Sequence, residues 1–240
     1  MNPCESCHGG CCRSFAIALT GADVLRIERT LDLNFTDFAC HWADPDGVIA
    51  QNYAPHLYFE DEPQTPFVLA LMHQKSAFFP ETTKCQFLLE GQPDADHPHG
   101  QARCGIYNSR PAACRVFPVR FNETCELAVI NDVPSKSRDS EHGVYELCPR
   151  PWEPQDLDPV QTIEHLIVAR HEMHFFLRIA EIWNQQLRPW ELFPTFLHAI
   201  YDQRVIRDSA TSRPESDGNV AAEDTPALAP PPQQESRRAA

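Results

Sequence analysis

The placement of cysteine constrains this chain more than any other feature. Cys4, Cys7, Cys11 and Cys12 open it as C-x2-C-x3-C-C, Cys85 follows in KCQFLLE, Cys104 and Cys114 lie in RCGIYNSRPAACRVFPV, and Cys148 sits in LCPRP. Only two of the ten cysteines, Cys40 and Cys125, stand apart from these settings. In a short secreted chain such a count reads as a disulfide framework. Here the thiols are gathered in motifs along 240 residues, a pattern that favours metal ligation or catalysis in a reducing compartment. Two residues between thiolates let a tight turn aim both sulfurs at one point and leave backbone N–H groups to hydrogen-bond them. Gly9 and Gly10 give that turn its permissive backbone. Vicinal Cys11 and Cys12 project in different directions, so they serve different ions, or an ion and its neighbouring shell, more easily than one ion.

Charge removes whole classes of partner. With 20 Lys and Arg against 34 Asp and Glu, the formal net charge is -14, the opposite of what phosphate-backbone or anionic-lipid binding needs. Nucleic acid and membrane are therefore not expected partners. The longest apolar stretch, Phe67 to Met72, holds six residues, far short of the roughly 18 that mark a membrane span. The opening MNPCESCHGGCC has neither the basic start nor the apolar stretch of a secretory signal, so the expected location is the cytosol.

Texture divides the chain into three expected parts: a cysteine-cluster region at 1–154, a helical hairpin packing on it at 155–207, and a disordered tail at 208–240. The tail has no aromatic residue and a proline triplet, and cannot bury enough apolar surface to offset the entropy of ordering it. In the first part, Thr20 with Asp23 reads as a helix cap, and Val24, Ile27 and Leu31 recur at helical spacing, which predicts a helix over 21–31. A second short helix is expected from Thr36, carrying Phe38 and Trp42. Short strands are expected at 67–71, 86–89 and 127–130. Asp158 followed by Pro159 is a cap with proline at the first helical position. The helix it starts, ending before Pro189, is expected to bury Val160, Ile163, Ile167, His171, His174, Leu177 and Ile182 on one broad face. Pro194 opens a second helix. The fold class is α+β: a small, irregular Cys-rich strand and loop region with short helices, packed against the C-terminal hairpin.

The motifs resemble the YkgJ-like cysteine cluster family, a zinc- or iron-chelating domain named for a C-x2-C-x2-C-C opening. The resemblance rests on CESCHGGCCR at 4–13, on Cys85, Phe87 and Leu88, on C-x-I-Y-x-x-R-P-x-x-C-R-x-F-P from Cys104 to Pro118, and on Cys148 with Pro149. One departure is the third residue between Cys7 and Cys11, which a glycine-rich loop absorbs. The resemblance implies chelation by Cys4, Cys7, Cys11, Cys12, Cys85, Cys104, Cys114 and Cys148. It does not fix an activity. Some relatives are similar to flagellin lysine N-methylases, so an iron–sulfur enzyme or a redox protein is the alternative to a metal-binding protein without catalysis, and metal trafficking is a third reading.

Eight thiolates are twice what one tetrahedral zinc or one 4Fe–4S cluster needs, so either there are two sites or one four-cysteine site with structural thiols beside it. Soft sulfur favours zinc or iron–sulfur over magnesium, calcium or manganese. Spacing does not choose between zinc and iron. Arg13, Arg103, Arg110 and Arg115 lie beside the cysteines; Arg110 and Arg115 are candidates to hydrogen-bond sulfur or an anionic group, with a loop-holding role as the alternative. Other signals are weaker. His171-Glu172-Met173-His174 has its histidines at i,i+3 rather than the zincin i,i+4 and reads as a helix face. His8 is expected to hydrogen-bond or lie exposed rather than ligate. Cys40 and Cys125 are expected to be small buried hydrophobes, and Tyr107 and Phe117 to pack around the site.

Overall fold

The computed structural model describes residues 7–50, 54–131, 133, 142–148 and 150–211. The expected disordered tail lies, from residue 212 on, outside them, as does Cys4. The helix before it runs through residue 208 to Thr211.

One strand organises the front of the molecule. β2 (Phe67–Leu71) pairs antiparallel with β1 (Ala39–Ala43), Ala39 opposite Leu71 and Ala43 opposite Phe67. Its other edge is taken by isolated bridges to Ala18 and Leu57. With partners on both edges all five residues of FVLAL are buried, which explains an unbroken apolar run rather than an alternating one. Phe38 and Trp42, spaced as on a helix, do not form one. Phe35–Asp37 is a single 3-10 turn, and the chain then extends into β1, because the ladder to β2 outweighs local propensity. Three small hairpins complete the front: β3 (His73–Lys75) with β4 (Thr83–Cys85), β5 (Leu88–Glu90) with β6 (Ala102–Cys104), and β7 (Val119–Phe121) with β8 (Ala128–Ile130). The expected strand at 86–89 is thus two strands meeting at a turn.

The helices follow their caps. α1 (Cys11–Ser14) is one turn at the first cysteine cluster. α2 (Gly21–Leu31) begins with a reciprocal cap in which the Asp23 N–H donates to Thr20 Oγ1 while the Thr20 N–H donates to Asp23 Oδ2. α3 (Ala112–Val116) carries Cys114. α4 (Pro159–Asn184) starts with the Gln161 N–H donating to Asp158 Oδ1 at 3.0 Å, and α5 (Phe193–Thr211) returns alongside it. Trp183 meets Phe196 with ring centroids 5.1 Å apart and Phe175 meets Tyr201 at 5.2 Å, so the two helices form an antiparallel hairpin.

The buried face of α4 is not the expected one. Val160, Ile163, Ile167, His171, His174, Leu177 and Ile182 are all exposed, and Leu166, Phe176, Ile179, Ala180 and Trp183 point inward. The helix has two apolar stripes, and the one bearing the aromatic rings buries more area per residue, so it wins the core. That core is one cluster: Leu19, Ile27, Phe38, Phe59 and Leu69 from the front pack with Phe176, Trp183, Phe193 and Leu197 from the hairpin. The α2 start fits against α5 because residue 21 is glycine; a Cβ there would overlap the Tyr201 ring and come within 2.8 Å of Leu197 Cδ1. Gly21→Ala is therefore expected to destabilise by about 1–3 kcal/mol, although alanine is the better helix former. Chemical denaturation at fixed metal load measures this.

Candidate metal centre

Three separate stretches of chain are stitched to the first cysteine loop and a fourth to α2. The Cys7 carbonyl accepts from the Ala102 N–H at 2.9 Å, which extends β6 and sets Cys7 near Cys104. Gly9, in the left-handed region at φ 80°, lies against Leu88 so closely that a Cβ would sit 2.7 Å from its Cδ1, and Leu88 in turn pairs with Cys104. The Ser14 hydroxyl donates to the Tyr145 carbonyl at 3.0 Å, drawing in the segment that ends at Cys148. Asp23 takes the Ala112 N–H at 2.9 Å and so anchors the start of the helix that carries Cys114. Local folding thus brings seven of the eight expected ligands, all but Cys4, which lies outside the described residues, into one neighbourhood.

Within it the thiols fall into two groups. Cys12, Cys85, Cys104 and Cys114 line one small cavity of about 20 Å³, walled otherwise by apolar groups such as Ile17, Leu71, Leu88 and Ile106. Cys7 and Cys148 do not line it and lie near Cys11: Cys11 acts on the ionisation of Cys7, and Cys7 and Cys11 both act on that of Cys148. Cys11 stands between the groups, since it also acts on Cys85, Cys104 and Cys114 and is hydrogen-bonded to Cys12. Among the described residues no three His, Cys, Asp or Glu side chains have already closed to ion-holding distance. The nine described cysteines form no disulfide.

The surroundings resist and reward ionisation together. Burial pushes the thiol of Cys85 up to about 11 and raises Cys7, Cys104, Cys114 and Cys148 as well; for Cys11 the hydrogen bond with Cys12 adds most, then burial. Acting the other way, each of three thiols has its own cation: Arg13 for Cys7, Lys84 for Cys85 and Arg110 for Cys104. N–H groups also point at sulfur: Gly9 to Cys7 at 3.2 Å and Trp152 Nε1 to Cys148 at 3.3 Å, with those of Gly10, Phe87 and Ile106 serving Cys7, Cys85 and Cys104. Donors aimed at sulfur favour the thiolate, the form that binds metal. This donor set and its dry, cation-bordered setting fit a thiophilic ion such as zinc or iron.

Not every neighbour of the thiols lies as its sequence setting suggests. Arg110 stacks over Tyr107, 4.2 Å from its ring centre, and Tyr107 is 55% exposed rather than packed around the site. Arg115 holds its loop by donating to the carbonyls of Arg110 and Asn108. His8 is half-buried and hydrogen-bonds the Glu146 carbonyl, as expected, while its Nε2 is enclosed without a partner and its ring centre lies 5.4 Å from that of His99; burial lowers its pKa, with the Glu146 carbonyl opposing. Cys40 is half-buried, but Cys125 is exposed, at left-handed φ 59° in the tight turn between β7 and β8, where its side chain has nothing to pack on. The His171 to His174 string is a helix face, its Glu172 committed to Arg204.

The charge network beneath the thiols gave no sequence signal, because its members are far apart. Arg13 donates from Nη2 to Glu90 at 2.5 Å, and Lys84 lies 3.3 Å from the same carboxylate. Two buried cations against one carboxylate leave a positive surplus beside the cysteines, and Arg13 Nη1 has no partner. Burial opposes ionisation of Glu90, but the Ser76 hydroxyl, the Ala77 N–H and Arg13 outweigh it and bring its carboxyl down to about 2. The folded pKa is depressed, so the stabilisation is complete above the ordinary carboxyl range and is lost as pH falls from about 4.5 towards 2. Acid unfolding followed by circular dichroism is expected to lose up to about 3 kcal/mol across that window in the wild type and much less in Glu90→Gln.

A profile of the CxxCxxCC family, described as a "putative zinc- or iron-chelating domain", matches residues 3–133, just over half the chain. The chain belongs to the CxxCxxCC family. The matched CxxCxxCC segment includes every cysteine of the expected set except Cys148, which the structure nonetheless sets beside Cys7 and Cys11. No curated protein and no solved structure matches the chain. The CxxCxxCC assignment makes a metal ion the partner of this site in general terms. No helix among the described residues is long and apolar enough to cross a membrane.

Proposed function

We propose that the chain is a cytosolic protein that holds zinc or iron in two thiolate groups and uses them to brace its front half. One group is Cys12, Cys85, Cys104 and Cys114; the other is Cys7, Cys11 and Cys148, with Cys4 completing it. The observation that carries this reading is the cavity of about 20 Å³ bordered by four thiols from four different stretches of chain. Its size suits a single ion or water rather than an organic substrate. The vicinal pair then serves both groups, Cys12 facing the cavity and Cys11 the N-terminal side. Zinc there would neutralise thiolates and tie loops together, and an iron–sulfur centre would add electron transfer. Arg13, Lys84 and Arg110 offset the charge of the ionised sulfurs.

Elemental analysis of protein purified without oxygen tests this directly. Cys7→Ser and Cys104→Ser are each expected to lose about half of the bound metal, and the double variant all of it. If either single variant loses everything, the thiols share one centre. Less than about half an equivalent of any transition metal in the wild type overturns metal binding itself. The rival reading, an iron–sulfur enzyme similar to flagellin lysine N-methylases or a redox protein, requires visible absorption that bleaches on reduction, and a colourless, zinc-loaded preparation rules it out.

A further inference from the structure

A second feature lies away from the cysteines, in the groove between α2 and α5. Arg26 and Arg29 on α2 and Arg204 on α5 line it together with Thr30 and Tyr201, and its volume is about 460 Å³. In a chain of net charge -14, three guanidiniums around one groove are unexpected. Two carboxylates answer them, and both are engaged: Asp23 takes Arg26 Nη2 at 2.5 Å, and Glu172 takes Arg204 in a two-pronged pair at 2.7 and 2.8 Å. Arg29 is exposed and forms no ion pair among the described residues, so one positive charge is left over.

The groove also holds unmet hydrogen-bonding capacity. The Tyr201 hydroxyl belongs to a residue only 5% exposed; it accepts from the Ala22 N–H at the start of α2, and its own O–H has no acceptor. Arg26 Nε is likewise buried and unpartnered. Buried donors without an acceptor are rare in native proteins. Two of them on the lining of one groove, beside an unneutralised arginine, point to an anion that accepts several hydrogen bonds. Ala22 and Leu25 supply an apolar wall for an organic group attached to it.

We propose that the α2–α5 groove binds a phosphate-bearing small molecule, with Arg29, Arg26 and the Tyr201 hydroxyl holding the phosphate and Ala22 and Leu25 contacting the organic part. A tetrahedral oxyanion has enough acceptor sites for guanidinium and hydroxyl donors converging from two helices, and the groove volume falls in the range of small-ligand sites. Arg204 is held by Glu172 and over Phe175, 4.5 Å from its ring centre, so it borders the site as a fixed charge.

The test is isothermal titration of the metal-loaded, full-length chain with phenyl phosphate, with benzoate as the carboxylate comparison. The expected result is saturable one-site binding that weakens with added salt. Arg29→Gln is expected to weaken it about tenfold and Tyr201→Phe severalfold, since one removes a charge-assisted donor and the other a single hydroxyl. Both variants leave the packing intact, Arg29 being exposed and Tyr201→Phe keeping the ring. Arg26 is left unchanged because it also donates to the Arg110 carbonyl at 3.0 Å, next to the cysteine block. Metal content and thermal unfolding of each variant, matched to wild type, show that a loss belongs to the groove. No saturable heat, affinities unchanged in both variants, or benzoate binding as tightly as phenyl phosphate would each overturn the proposal.

Discussion

Removing the metal with a chelator is expected to unfold the front half of the chain while α4 and α5 keep part of their helicity. Structural zinc contributes on the order of 10 kcal/mol of apparent folding free energy in small peptides, comparable to the whole stability of a domain. The hairpins here are three residues per strand and cannot hold themselves together, so the loops around Cys7, Cys104 and Cys148 depend on whatever joins the sulfurs. The damage is expected to spread, since Cys85 belongs to the main core and Cys12, Cys104 and Cys114 pack against it. Thermal unfolding monitored by near- and far-ultraviolet circular dichroism measures this: the midpoint falls steeply and the near-ultraviolet signal is lost first. An unchanged midpoint after complete metal loss would refute the bracing role. Metal affinity is also expected to rise with pH through neutrality. The buried thiols titrate above their ordinary range, so binding must displace protons, and acid favours the metal-free form.

Trp183→Ala is expected to cost about 3–5 kcal/mol, the largest effect of any single substitution away from the cysteines. Trp183 is fully buried, with ring contacts to Phe59, Phe193 and Phe196 at centroid distances of 5.9, 5.0 and 5.1 Å. It also donates from Nε1 to the Tyr58 carbonyl at 2.9 Å, which ties the end of α4 to the front. Alanine leaves a cavity and strips that carbonyl of its donor. Trp183→Phe keeps most of the packing and isolates the hydrogen bond, for an expected cost of about 1–2 kcal/mol. Urea denaturation of metal-loaded protein gives both numbers, and a Trp183→Ala cost below about 1 kcal/mol would show that hairpin and front do not share a core.

These expectations rest on features that the sequence discloses unequally. The start of α2 was legible because a cap is written locally, in Thr20 and Asp23, and the start of α4 was legible in Asp158 and Pro159 for the same reason. The chemistry of the site was legible as residue types and spacing, since the C-x2-C and Arg-Pro blocks are short-range patterns. What needed the third dimension was every choice between two locally equal options. Phe38 and Trp42 suit a helix until β2 offers a ladder, and α4 carries two apolar stripes of which only packing selects one. The partition of thiols was hidden likewise, because Cys104 and Cys148 approach the first loop through the Ala102 to Cys7 bond and through Ser14. Glu90, 77 positions from Arg13, carries no sign of their pairing in its neighbours along the chain.

The tight turn between β7 and β8 has a practical consequence. Of the nine described thiols Cys125 is the exposed one, in the turn of a hairpin and outside the cavity that four of the others line. A maleimide dye or nitroxide should attach there before reaching the shielded sulfurs, providing a reporter on the native molecule without engineering. Left unblocked and without reductant, the same sulfur would let two copies become covalently joined during storage.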